Sequence, residues 1–473
     1  MPKSLPNHIP LLPNLWALAV LTLCVFTLSR FSDEWREVGA QVNTMLGGTL
    51  EVDVVITLIV LLLMTLPMLL RDSARFFTTE KNNDHSIYLV AIKTLGIWSA
   101  FGFVGFLYWL LPEYGQWYQR YWLILEIVVP WLVGLTPFYV WLVTPRQVAP
   151  KDGYYDLGLI VLAIFRPSLV ASVRMPYLYE LGRQWLIKAF FLPLMLVYFF
   201  GNITSFIEYQ HPEGSPSVWY LYDFSYLYIF SIDLSFAVIG YIFTLKILDT
   251  DIRSTDPSVL GWVACLMCYS PFWNGLFEPN FFHYESELFW GDWLEGYPFI
   301  YGVWAMLIIV LITLYSFATV SLGYRFSNLT YRGLSTTGVF RLTKHPAYVF
   351  KNLSWWMISI PFIPSGDGLD ALRSCLLLLG VNTIYFLRAR TEERHLSQYP
   401  EYVEYATWIN EHGIFRFVGR AMPFFRYDAQ KTLQLATPVW WRQAGLSRFP
   451  RFTLKYKNER EFNDEVIDQK PAA

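Results

Sequence analysis

Residues 52–70 read VDVVITLIVLLLMTLPMLL, an apolar run whose one charged side chain is Asp53. As a helix, about 20 such residues cross the hydrocarbon layer of a membrane. Runs of similar character occupy 10–29, 87–111, 122–144, 185–207, 219–245, 257–277 and 297–322. A shorter pair, 352–364 and 370–387, reads as a hairpin whose first half is broken by Pro361 and Pro364. The sequence therefore predicts an all-α, polytopic membrane bundle of about ten transmembrane helices with a C-terminal helical hairpin.

The composition of the whole chain favours the same class. Of the 473 residues, 54% are hydrophobic and 16% are charged, whereas charged residues make up about a quarter of a soluble domain. The net charge of -2 indicates no nucleic-acid partner. All four cysteines lie in apolar runs, and two of them, Cys265 and Cys268, form a CxxC. We expect these cysteines to pack in the membrane rather than to bind a metal.

The distribution of Lys and Arg predicts the orientation in the membrane. Cations gather in the loops after the second, fourth, sixth and eighth apolar runs, whereas the loops 208–218 and 279–296 contain several carboxylates and no Lys or Arg. Because cation-rich loops stay on the cytoplasmic side, we expect the N-terminus, the 323–351 loop and the tail after 388 to face the cytoplasm. Inside the predicted spans, Lys93, Glu126 and Asp233 are candidates for function; snorkelling or an unseen partner explains them equally well.

Two polar stretches flank the hairpin, so they should meet at one membrane face. The first is GLSTTGVFRLTKHPAY at 333–348, and the second is NTIYFLRARTEERHLSQYPEYVEY at 382–405. In the first, His345, Tyr348 and free backbone amides can hold a carboxylate or another anion. In the second, Arg388 and Glu392 are one helical turn apart and share a helix face. Membrane-edge cations with a surface ion pair are the plainer interpretation, and spacing alone names no reaction.

The order G-V-F-x-x-x-K-H-P-x-Y, apolar hairpin, R-x-x-x-E-E-x-x-L, Y-x-E-Y resembles the isoprenylcysteine carboxyl methyltransferase family and the related phospholipid N-methyltransferases. The resemblance covers roughly 320–415. It implies a cytosolic pocket for S-adenosyl-L-methionine and an acceptor that is a membrane lipid or a prenylated substrate. It divides the chain into an N-terminal transmembrane region of unknown role (1–296), a methyltransferase-like membrane core (297–415) and a cytosolic interfacial tail that is partly disordered (416–473).

By position, the resemblance also implies roles for individual residues. Arg388 matches the arginine that orients the acceptor, and Arg390 replaces it if the register slips by two. A carboxylate acceptor, which we favour, is ionised at neutral pH and needs no base. An amine acceptor would have to lose a proton, which Glu393 or His395 could take. The expected cofactor contacts are Arg332, Gly333, Leu334, Ser335, Phe340, His345, Pro346, Ala347, Tyr348 and Glu392.

The sequence departs from the family pattern at two positions. Two other functions also remain as alternatives. Lys344 replaces the usual Arg before His-Pro, and Phe350 stands where the family often has Gly, which leaves the acceptor pocket undefined. A membrane sterol-type reductase would use NADPH, but it carries an Arg-Asp-Glu-like signature where residues 390–393 read Arg-Thr-Glu-Glu. A transporter or lipid-binding protein with a methyltransferase-like tail would account for the long N-terminal part and Asp233.

Overall fold

A computed structural model describes residues 5, 7–9, 11–79, 81, 86–113, 118–147, 149–277, 281–285, 289–364, 366–429 and 432. The chain divides into two units, Met1–Tyr427 and Asp428–Ala473, and the first contains all the elements below. Most of the predicted disordered tail lies outside the described residues. The helices of the first unit are α1 (Leu11–Arg30), α2 (Ser32–Met45), α3 (Val52–Thr78), α4 (Ile87–Leu110), α5 (Gln119–Val143), α6 (Gly153–Ala163), α7 (Met175–Ile207), α8 (Val218–Ile242), α9 (Val259–Leu266), α10 (Phe272–Leu276), α11 (Trp290–Leu294), α12 (Pro298–Leu322), α13 (Pro346–Ser359), α14 (Gly368–Leu396), α15 (Pro400–His412) and α16 (Arg416–Ala421).

Eight of these helices, within the described residues, are long and apolar enough to cross a membrane: α1, α3, α4, α5, α7, α8, α12 and α14. This confirms the all-α polytopic bundle. Two of the ten predicted spans are not single crossing helices. The 257–277 run is divided into α9 and α10, because Pro271 has no N–H for the helix ladder and its ring crowds the preceding turn. The first half of the hairpin, α13, has 14 residues, fewer than a bilayer crossing needs.

The bundle is held by close helix contacts and by buried aromatic side chains. A Cβ atom at Gly96 of α4 would lie 1.9 Å from the carbonyl oxygen of Tyr154, and one at Gly158 of α6 would lie 2.0 Å from that of Ile92. Only glycine permits this crossing of α4 and α6, which places the short helix α6 against the bundle. The core between α7 and α8 includes the fully buried Phe191, Phe199, Phe200, Phe206 and Phe236.

The ionisable residues predicted inside spans have different surroundings. The Lys93 ammonium lies 3.0 Å from Asp152, which also pairs with Lys246 at 3.0 Å. Glu126 lies on the exposed surface of α5. Asp233 of α8 accepts hydrogen bonds from the hydroxyls of Tyr315 and Thr319 on α12. Lys93 is therefore explained by its ion pair with Asp152. Asp233, by contrast, lies beside the helices that carry the predicted site.

The hairpin itself is fastened by polar contacts between its two helices. The side-chain amide of Asn382 on α14 donates to Asn352 of α13 at 2.6 Å, and the Trp356 indole donates to Asn382 at 2.8 Å. Such bonds have no competing water in a membrane. They align α13 with α14, so that the first turn of α13 lies beside the last turns of α14.

Candidate functional site

The site begins where α13 starts and α14 ends. His345 precedes the helix, and Pro346 occupies its first turn, where the missing N–H costs nothing and the fixed φ suits helix entry. The His345 ring stacks on the Tyr348 ring with centroids 5.5 Å apart. Pro346 is buried, whereas Ala347 is half-buried beside it. The His-Pro pair therefore fixes two rings toward the end of α14.

Glu392 meets these rings from α14. The Tyr348 hydroxyl donates to Glu392 Oε2 at 2.7 Å, and His345 Nδ1 lies 3.9 Å from the same oxygen. Glu392 keeps 41% of its side chain exposed. Burial holds the pKa of Tyr348 well above its usual range, so its hydroxyl remains a donor. Three of the residues predicted from the sequence therefore lie together: His345, Tyr348 and Glu392. The Glu392 carboxylate among them is partly accessible to solvent.

The neighbouring carboxylate, Glu393, is enclosed. Lys344 lies 2.7 Å from its Oε1, Arg390 lies 2.7 Å from its Oε2, and His345 Nε2 lies 3.3 Å from Oε1. Only 3% of its side chain is exposed. Burial lowers the pKa of Lys344, and the Glu393 carboxylate opposes that shift. To act as a base, Glu393 would have to give up one of these partners, and that role stays a prediction.

Arg388 lies one turn before Glu392 and is buried. Its guanidinium donates to Asn328 Oδ1 and lies 5.0 Å from the centre of the Tyr348 ring and 5.5 Å from that of Tyr269. Asn328 is itself held by the hydroxyls of Tyr241 (2.9 Å) and Tyr269 (3.1 Å). The amide oxygen therefore points at Arg388. Aromatic faces on two sides hold the guanidinium near Glu392.

The other predicted cofactor residues, 332–335, have different polar contacts. Arg332 is buried and donates to the carbonyls of Thr250 (2.7 Å), Gly240 (2.8 Å) and Phe326 (2.9 Å). Burial lowers the pKa of Arg332 to about 9. The Ser335 hydroxyl donates to Ser321 O at 3.3 Å. The Arg332 side chain therefore joins its own segment to the end of α8 and to the loop at Thr250.

An N-terminal segment covers the backbone of the 332–335 segment. The amide of Leu334 donates to His8 Nδ1 at 3.1 Å, and the amide of His8 donates to the carbonyl of Leu334 at 3.1 Å. Asn7 Oδ1 accepts from the amide of Thr336 at 3.3 Å. A Cβ atom at Gly333 would approach the His8 Cβ to 3.0 Å. Residues near the start of the chain thus contact a segment more than three hundred positions away.

The remaining predicted contact, Phe340, lies on the turn between these groups, close to Gly338. Gly338 has φ +59°, and a Cβ atom there would lie 2.4 Å from the Ser321 hydroxyl, so glycine is required. The carbonyl of Phe340 accepts from the Tyr405 hydroxyl at 2.7 Å. Residue 340 is therefore anchored to α15 through its backbone.

A two-stranded ribbon links the 332–335 segment to α14. Strand β1 (Ser254–Thr255) pairs antiparallel with β2 (Thr330–Tyr331), and the Ser254 hydroxyl lies 2.9 Å from His395 Nε2. The Tyr331 ring stacks on Tyr399 with centroids 3.9 Å apart. Asn328, His8 and Ser254 carry no local sequence signal because each acts through a partner far away in the chain.

Comparisons with known proteins show a similarity to one family over part of the chain. Residues 302–409 match the model of a family described as a protein of unknown function, DUF1295. No curated protein and no solved structure matches the chain. The match contains α12, the hairpin and most of α15, and so includes both parts of the predicted site. The multi-pass membrane protein is therefore similar to this family over its C-terminal membrane region, and the N-terminal helices lie outside the match.

Proposed function

We propose that this protein is an S-adenosyl-L-methionine-dependent methyltransferase that acts on a lipid-borne acceptor, with its site facing the cytoplasm. The observation that carries the proposal is the pairing of a half-exposed carboxylate, Glu392, with His345 and Tyr348 beside the buried cation Arg388. These are the residue types that a donor with a carboxylate, an ammonium and ribose hydroxyls requires. The donor, when bound, supplies an electrophilic methyl group on a sulfonium.

Each residue then has a physical task. His345 and the free amides at the start of α13 suit the donor carboxylate, because a helix N-terminus favours negative charge. Glu392 suits the ammonium or the ribose hydroxyls. Arg388 holds the acceptor, and its guanidinium is fixed by Asn328 and two aromatic faces. Positioning of this kind supplies most of the acceleration in a displacement that needs no covalent help from the protein.

The acceptor reaches the site from the bilayer in this account. The hairpin helix α13 is too short to cross, and its residue Leu353 is exposed. A lipid tail can lie along that surface while its head group reaches Arg388. A carboxylate acceptor needs no base, which agrees with the enclosed position of Glu393 between Lys344 and Arg390.

Calorimetric titration with S-adenosylhomocysteine tests the proposal. The wild type in detergent should bind this product, Glu392→Gln and His345→Ala should weaken the binding by at least about tenfold, and Glu411→Gln, on the exposed surface of α15, should bind like the wild type. NADPH serves as the control ligand for a reductase. Binding of NADPH in place of S-adenosylhomocysteine would overturn the proposal.

A further inference from the structure

A second cation, the half-buried Lys351, lies one turn beyond Tyr348 on α13. Its ammonium is 5.2 Å from the centre of the Tyr315 ring and 5.3 Å from that of Trp355. Trp355 in turn packs edge-on against Tyr385 of α14. Lys351 is thus enclosed by aromatic rings from α12 and α13, at the same end of the hairpin as Arg388.

The surroundings of this ammonium are neutral at contact distance, as far as the described residues extend. Among the residues that the structure describes, no carboxylate lies within 4.0 Å of Lys351 Nζ. The nearest carboxylate in electrostatic range, Asp233, is occupied by the hydroxyls of Tyr315 and Thr319. Burial lowers the pKa of Lys351, while Asp233 partly opposes the shift. A half-buried ammonium that faces aromatic rings and no contacting anion is incompletely compensated, and an anionic ligand would compensate it.

Lys351 and Arg388 are close enough to affect each other electrostatically. The positive charge of Arg388 is one of the groups that lower the pKa of Lys351, so the two cations repel each other. Arg388 contacts Tyr348, one turn from Lys351, and its guanidinium donates to the neutral side-chain amide of Asn328. Within the part of the chain that the structure describes, neither cation makes a salt bridge of its own, in contrast to Lys344 and Arg390.

We propose that Lys351 and Arg388 jointly bind the anionic head group of a lipid acceptor, and that Lys351 makes the site selective for acids over amines. This inference rests on the proposed function, because it concerns the acceptor of the same site. The sulfonium of a bound donor would add a third positive charge here. A carboxylate between the two cations compensates that charge, whereas an ammonium head group increases the repulsion.

Matched amphiphiles test the selectivity directly. Equilibrium binding of radiolabelled hexadecanoate and of hexadecylamine is measured on the detergent-solubilised full chain, with and without S-adenosylhomocysteine. Acetate is the third probe, because it carries the carboxylate without the lipid tail. We expect hexadecanoate to bind at least about tenfold more tightly than either of the others.

Substitutions of Lys351 test whether its positive charge is responsible for the binding of hexadecanoate. Lys351→Met should weaken hexadecanoate binding by about tenfold or more, and Lys351→Arg should restore most of it, because the charge is kept. Lys188→Met is the matched control, since Lys188 also lies over an aromatic ring, that of Trp185, but on α7. The S-adenosylhomocysteine affinity of Lys351→Met should stay within about twofold, which shows that the variant is folded.

The outcomes separate this inference from the proposed function. Failure of S-adenosylhomocysteine to bind the wild type, together with Lys351-dependent hexadecanoate binding, would remove the methyltransferase proposal and keep the anion site. Equal binding of acid and amine, no binding of either, or unchanged acid binding by Lys351→Met would overturn the inference. Acetate binding as tight as hexadecanoate would assign the site to a free acid and overturn the lipid acceptor.

Discussion

Two clusters of charged side chains at the same end of the hairpin differ in how completely their charges are paired. Around Glu393, every charge has a partner: Lys344, Arg390 and His345 enclose one buried carboxylate. Around Arg388, Lys351 and Glu392, the partners are aromatic rings, a neutral amide, a tyrosine hydroxyl and the His345 ring, 3.9 Å from Glu392. A fully paired network stabilises the hairpin, whereas incompletely paired charges are available for a ligand. The difference predicts that neighbouring glutamates have different functions.

The largest effect should come from opening the paired network. Glu393→Ala leaves three donors enclosed without their carboxylate, and removal of one partner from a buried network costs about 3–5 kcal/mol. We expect the free energy of unfolding in detergent to fall by about that amount. Glu411→Ala is the control, since its exposed pair with Arg426 should contribute about 1 kcal/mol or less. Equal stability of the two variants would remove the distinction between the groups.

Glu392→Gln should change the stability of the protein little and its affinity for the ligand strongly. Because Glu392 is half-exposed and its one close partner is the Tyr348 hydroxyl, the unfolding free energy should change by about 1 kcal/mol or less. Its S-adenosylhomocysteine affinity should nevertheless fall by at least about tenfold. Thermal unfolding and calorimetry on one preparation give both numbers. A destabilised variant with normal affinity would assign Glu392 to the scaffold.

Arg388→Ala should separate acceptor binding from donor binding. The side chain that holds the acceptor is lost, so we expect methyl transfer to fall by about a hundredfold or more. S-adenosylhomocysteine affinity should stay within about twofold, because Glu392 and His345 remain. Single-turnover transfer and calorimetry provide the two readouts. Loss of product binding in this variant would place Arg388 in the donor site.

The smallest effect concerns pH and the N-terminal segment over residue 334. Burial, reinforced by Arg253 and Arg325, lowers the pKa of His8, while Glu401 and Asp249 oppose the shift. His8 Nδ1 accepts a hydrogen bond from Leu334, so the neutral ring is the bound form. A histidine with a lowered pKa contributes stability above its ordinary pKa of 6.5, and the contribution is lost as pH falls toward the folded value.

Protection of the Leu334 amide from hydrogen exchange should therefore be greater at pH 7.5 than at pH 5.5 after correction for the intrinsic exchange rate. His8→Ala should remove this difference, and His412→Ala, on the exposed end of α15, should keep it. A pH dependence that persists in His8→Ala would assign it to another group.

Local sequence patterns predict the helices well, because a run of apolar residues must be helical in a bilayer whatever it packs against. Residues 257–277 are the exception: composition indicates a span, but Pro271 divides it. The His345, Tyr348 and Glu392 group could also be predicted, since a hairpin brings its two ends together.

The remaining contacts depend on positions distant in the chain and could not be predicted. Asn328 beside Arg388, His8 on Leu334 and Asp233 beside Tyr315 join different helices or loops. The sequence places Lys351 next to Phe350. It does not indicate which side chains surround the Lys351 ammonium, because these surroundings follow from the packing of α8, α12 and α13. The contact of Arg332 with the cofactor, which the resemblance implies, stays a prediction, and the bonds of its guanidinium to the carbonyls of Thr250, Gly240 and Phe326 are further long-range contacts of this kind.

The most direct test is transfer of a tritiated methyl group from S-adenosyl-L-methionine to lipids extracted from the expression host, with the purified protein in liposomes. We expect label in the organic phase that alkali releases as methanol, as is typical of a carboxyl ester, and at least about a hundredfold less label with Arg388→Ala. Alkali-stable label would indicate an amine acceptor. No label above the protein-free control, with no binding of S-adenosylhomocysteine, would contradict the central claim.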